Sequence, residues 1–149
     1  MATILLVGVI GAIIGIAVGM LWYSDKTPMG RWHMASLGFD TLSPEERERV
    51  KAEAKPRMGK QFSAQALLSF ITALFIGAVT SYSVQNGAPA SSVFFYIPAI
   101  WLAFTVPLVG QNMLWGNARG ALAWKRFVSD SCSNLITYLL IAFVATLFF

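Results

Sequence analysis

Residues 3–23 read TILLVGVIGAIIGIAVGMLWY, without one charged side chain. A run of about 10–14 apolar residues would suit a buried soluble helix equally well, whereas about 20 are needed to cross the hydrocarbon of a bilayer. This stretch is long enough to cross. Three more runs have the same character: FSAQALLSFITALFIGAVTSYSV at 62–84, SVFFYIPAIWLAFTVPLVGQNMLW at 92–115 and SNLITYLLIAFVATLFF at 133–149. The last is counted as a span from about residue 130, with its helix starting earlier, near Leu122. None alternates as a barrel strand does, and backbone groups in lipid must bond within their own segment, so the spans are helices. The fold class is all-α: a single polytopic membrane domain over 1–149, a bundle of four transmembrane helices with a helical loop, 24–61, between the first two.

Composition points the same way. Of 149 residues, 56% are hydrophobic and 12% charged, against about 25% charged in soluble domains, and the mean hydropathy is +0.63. A soluble fold of this length has too little interior for so much apolar surface. One cysteine, Cys132, excludes an internal disulfide, and one histidine, His33, leaves no side-chain set for zinc. No cofactor or metal is expected. All eleven Lys and Arg lie in 24–61 and 116–129. The positive-inside rule then places both loops in the cytoplasm and both termini outside. The net charge of +4 therefore reports membrane orientation and calls for no nucleic acid. The amino end resembles a secretory signal, but it lacks a basic n-region and exceeds the usual apolar length of about 7–15 residues, so it is read as a retained span.

The first span closes on Trp22, Tyr23 and Ser24, followed by Asp25 and Lys26, and an aromatic returns at Trp32. Trp22, Tyr23 and Trp32 fit interfacial anchors, with Lys26 and Arg31 in reach of lipid phosphates. Pro28 opens a short interfacial helix whose Met29, Trp32, Ser36 and Leu37 share one face. A second loop helix follows in SPEERERVKAEAKP, 43–56. Ser43 and Glu46 form a capping box, Pro44 takes the first helical position, Glu45 pairs with Arg49, and Pro56 ends the helix.

These residues carry a resemblance. Gly19, Leu21, Trp22, Tyr23 and Ser24, then Trp32, Gly38 and LSPEE, and at the other end Trp115, Asn117, WKRFVSD and Asn134, are similar to the bacterial and fungal four-span family known as domain of unknown function 1761. The resemblance covers most of the chain and is weakest over the second span. Relatives carry Ser-Pro after Trp-Tyr where this chain has Ser24-Asp25, a departure that bears on the local turn. The resemblance implies the four-span fold and no particular chemistry.

In lipid, helices pack through small residues that let backbones approach. Gly11, Gly15 and Gly19 repeat every four residues in the first span, and Ser69, Ala73 and Gly77 do so in the second. They are the expected packing ridges, facing either each other or another subunit. Pro107 should bend the third span by removing a donor to Ala103.

The spans hold no acid, base or histidine in their cores, which disfavours ion-coupled transport. No P-loop, paired-acid or thiol motif appears, so an enzyme is not expected. Cys132 reads as a palmitate acceptor or a small packing residue. One polar constellation remains: Gln111 and Asn112 end the third span, while Asp130, Asn134 and Thr137 open the fourth on one helical face. It reads either as a ligand pocket at the cytoplasmic mouth, near His33 and Tyr23, or as a hydrogen-bonded helix-end cluster with Arg126 paired to Asp130. Two function classes follow. The first is a non-catalytic accessory subunit or scaffold acting through helix packing, as a homo-oligomer or in a larger membrane complex. The second is a carrier or binder of a small neutral molecule or lipid using that pocket.

Overall fold

The computed structural model describes residues 1–116 and 119–149, and over these it is made of helices and turns without a strand. The family-like Asn117 lies outside the described residues. Helix α1 spans Ala2–Trp22, α2 Pro28–Ser36, α3 Pro44–Gln85, α4 Val93–Ile100, α5 Val106–Trp115 and α6 Gly120–Thr146. Four helical segments are long and apolar enough to cross a membrane: α1, α3, the joined α4–α5 and α6. The fold is an all-α polytopic membrane bundle. Its basic end carries α2, the start of α3 and the start of α6.

Helix α1 buries Val7, Gly8, Gly11 and Gly15, all on one face. That face lies on Ser69, Ala73, Ile76 and Gly77 of α3. A side chain at Gly15 would run into Ser69, and one at Gly11 into the Cβ of Ala73. Gly77 answers from the other helix, where an added Cβ would meet Val7 at 3.4 Å. The ridges therefore meet each other, within one chain. Gly19 continues the spacing but has nothing within 4 Å, so it lies beyond the zone of close approach. The remaining core is aliphatic, with Val93 and Ile97 of α4 and Ile141, Ala142 and Ala145 of α6 closing on Val7, Ala73 and Ile76.

Two loop features differ from their sequence expectations. Ser43 caps α3 through a complete capping box with Glu46, as its spacing predicts. Pro56, however, does not end that helix, which runs unbroken from Pro44 to Gln85. Proline removes one helical donor and crowds the preceding turn. Here residues 52–56 are all exposed, so the freed carbonyl is not shut away inside the bundle, and the bonds on either side hold the helix. On this wet stretch Glu48 pairs with Lys51 at 2.8 Å, rather than Glu45 with Arg49.

The third span is irregular between its two prolines, Pro98 and Pro107. Residues Trp101–Thr105 form a π turn, and the Val106 N–H donates five residues back to the Trp101 carbonyl. Pro107 cannot supply the next bond, so the irregularity appears upstream of it. The turn is secured to α6 by the Trp101 indole N–H, which donates to the Ser131 carbonyl at 2.9 Å.

Candidate functional site

The polar groups of the chain gather at the basic end, and a short reversal puts them there. The Tyr23 N–H bonds back to the Gly19 carbonyl at 3.0 Å and ends α1. Thr27 then caps α2: its hydroxyl accepts from the Gly30 N–H at 2.9 Å and donates to the Trp22 carbonyl at 2.7 Å. Gly30 is buried against the Ser24 carbonyl, where a Cβ has no room. This turn folds α2 back across the bundle end, so that His33 and Ser36 reach α6.

Asp130 is the centre. One carboxylate oxygen accepts from the Tyr23 hydroxyl at 2.7 Å, and the other accepts more loosely from the Arg126 guanidinium at 3.5 Å. Arg126 also donates to the Ser36 hydroxyl at 3.1 Å, and Ser36 donates to the His33 carbonyl at 2.6 Å. Beside them the Trp22 indole N–H donates to Ser129 at 3.0 Å. The His33 ring lies tilted on Tyr23 with centroids 5.0 Å apart. Its Nδ1 is buried with no partner among the described residues. Burial, and secondarily the Arg126 charge, hold the His33 imidazole below its usual range, with Asp130 pulling the other way. Lys125 rests 5.7 Å over the Trp32 ring. Asp130 and Arg126 together thus tie the end of α1, helix α2 and the start of α6.

Next to this knot, between α5 and α6, lies a cavity of about 80 Å³. Asn112, Arg126 and Asp130 give it polar corners, and Val109, Met113 and Phe127 supply apolar walls. Of the polar residues marked by the sequence, Asn112 and Asp130 meet here. Gln111 is exposed and lies outside the cavity lining. Asn134 donates to the Asp130 carbonyl at 2.9 Å and Thr137 to the Ser133 carbonyl at 2.8 Å, so both fold back on their own helix. A short polar side chain in apolar surroundings finds its nearest acceptor in the carbonyl four residues earlier. Shared helical spacing therefore did not make a shared pocket.

Trp22 and Tyr23, taken from sequence as membrane anchors, are donors to α6. Ser36, which helical spacing put on the face of the interfacial helix with Trp32, instead takes the Arg126 bond, and Ser129 carries no sequence signal that sets it apart from other serines. A wider open groove of about 370 Å³ runs between α2 and the start of α3, with Arg31, Arg47 and Lys51 facing Asp25 and Asp40. Its cations are partly engaged, Arg47 by the Leu42 carbonyl at 3.0 Å and Lys51 by Glu48 at 2.8 Å.

Chemically, the knot offers hydrogen-bond donors beside an apolar wall. Among the described residues no cluster of three His, Cys, Asp or Glu could hold a metal ion. No curated protein and no solved structure matches the chain. A family model described as protein of unknown function (DUF1761) matches residues 6–146, from within α1 to the last residue of α6. The match takes in all four spans together with the knot and the cavity between them, and the chain belongs to that family.

Proposed function

We propose that this protein is a non-catalytic accessory subunit or scaffold of a membrane assembly, working by helix–helix contact with a second copy or another membrane subunit. The observation that carries this reading is the division of its small residues. Gly11 and Gly15 of α1 are consumed inside the chain, whereas Ala99 and Ala103 of the third span, four residues apart, are exposed. Small residues at that spacing let another helix approach closely in lipid. The polar knot at the basic end supports the same reading, since Tyr23, Ser36, Arg126 and Asp130 are spent on tying helices. In this proposal the basic end lies in the cytoplasm and both termini lie outside, following the one-sided Lys and Arg. Lipids are its surroundings, and nucleic acid has no part.

The test is a double substitution, Ala99→Leu with Ala103→Leu, purified from the native membrane in a gentle detergent. The expected result is a smaller assembly by cross-linking and native mass measurement, with thermal melting unchanged. An assembly of unchanged size would sink the proposal. A second reading, a carrier or binder of a small neutral molecule or lipid, is favoured by the α5–α6 cavity, where Asn112 and Arg126 meet apolar walls.

A further inference from the structure

We infer that the α5–α6 cavity holds a neutral carbonyl group, of the kind carried by the ester linkages of a membrane lipid or by a small amide or ester solute. This deepens the second reading above and rests on it.

Donor capacity is the first reason. A guanidinium has five N–H donors. Among the described residues, Arg126 directs one nitrogen to Ser36 at 3.1 Å and another to Asp130 at 3.5 Å, which leaves donors for the cavity that it lines. Asn112 lines the opposite side with a side-chain amide that brings two more. These donors call for an acceptor on the ligand, while Asp130 and the Asn112 side-chain oxygen can in addition take a donor carried by the same group. Charge then narrows the class. An anion drawn to Arg126 would also meet the Asp130 carboxylate, which lines the same cavity and offsets the attraction. A neutral acceptor meets the donors without that repulsion.

Size narrows it again. A site for a whole small molecule runs to about 300–1,000 Å³, whereas this cavity has about 80 Å³. It admits one functional group, with the rest of the molecule outside. Val109, Met113 and Phe127 give that remainder an apolar path. Depth agrees as well. The Trp22 to Ser129 bond sets this part of α6 level with the end of α1, where a span meets the interface and where lipid ester carbonyls reside.

The experiment uses the full chain and two phosphatidylcholines of equal chain length, one ester-linked and one ether-linked, with lipid retention read by native mass spectrometry. The wild type should retain the ester lipid at least about threefold better, since an ether offers a poorer acceptor and no carbonyl. Asn112→Leu should lower that ratio at least about twofold with unchanged melting, because Asn112 is exposed and its removal leaves the Asp130 knot and the Arg126 donors intact. Arg126→Gln should act in the same direction, but it also cuts the knot and is the less clean variant. A second arm asks for the solute source. In ether-lipid discs, carbonyl-labelled dimethylacetamide should show a saturable infrared shift that is lost in Asn112→Leu if a free solute supplies the group. Absence of both the ester preference and the solute shift overturns the carbonyl assignment. Retention of neither lipid nor solute overturns the binding reading as well. Stronger retention of acetate than of dimethylacetamide overturns the requirement for neutrality.

Discussion

At Asp130 the few polar groups of a greasy chain hold one another. Tyr23 donates to it from 107 positions away, and Arg126 from one turn back on the same helix. The neighbouring imidazole gives this cluster a signature in acid. Burial and the Arg126 charge depress His33 below its ordinary value of 6.5, and Asp130 opposes them only in part. The unfolded chain therefore binds a proton in a range where the folded chain does not. Stability from this group is complete above pH 6.5 and is lost as the pH falls from there towards the depressed folded value. The melting temperature should be lower at about pH 5.5 than at about pH 7.5. His33→Phe keeps a ring against Tyr23 and removes the proton site, so the difference should disappear. A step of the same size in His33→Phe would refute this origin. Glu46, held low by hydrogen bonds at the Ser43 cap, adds its loss only below its ordinary 4.5. The Arg126–Asp130 pair was legible in the sequence from its spacing of four. The Tyr23 bond was not, because an aromatic at a span end looks the same whether it faces lipid or a neighbouring helix.

Helix by helix, spacing told more about which residues pack than about how far the packing extends. Gly11, Gly15 and Gly19 look equivalent in the sequence. Two helices crossing at an angle stay close for only a few turns, and the row passes out of contact before Gly19. Substitutions should separate them. Gly11→Leu drives a side chain into Ala73 and should cost about 1–3 kcal/mol or more, the usual scale of overpacking. Gly19→Leu meets open space and replaces a poor helix former, so it should be neutral or stabilising by up to about 1 kcal/mol. Unfolding in graded denaturing detergent compares the two directly, and equal losses would contradict the packing described. Pro56 and the third span show the converse limit. A proline marks a missing donor, and the surroundings decide the result. On an exposed stretch α3 continued through it, whereas beside Pro107 the ladder shifted to a π turn.

For the whole molecule, four apolar runs sufficed to read the fold class, because lipid leaves a lone segment no other way to satisfy its backbone. The way the polar residues converge was less legible, since it depends on which helix faces lie inward. The proposed orientation has its own test. In a Cys132→Ser background, single cysteines replace Ala54 on the exposed part of α3 and Ala88 in the turn after it. An impermeant maleimide applied to intact cells should label the Ala88 site alone, and labelling at the Ala54 site would reverse the orientation. One further consequence belongs to α3. Its 42 residues make a rod of about 63 Å at 1.5 Å per residue, roughly twice the thickness of bilayer hydrocarbon. It is at once the wall on which α1 lies and, through residues 44–61, an exposed and charged handle. The helix has no break between handle and wall, so a grip on the charged end acts as a lever on the contact between Ser69, Ala73 and the α1 glycines.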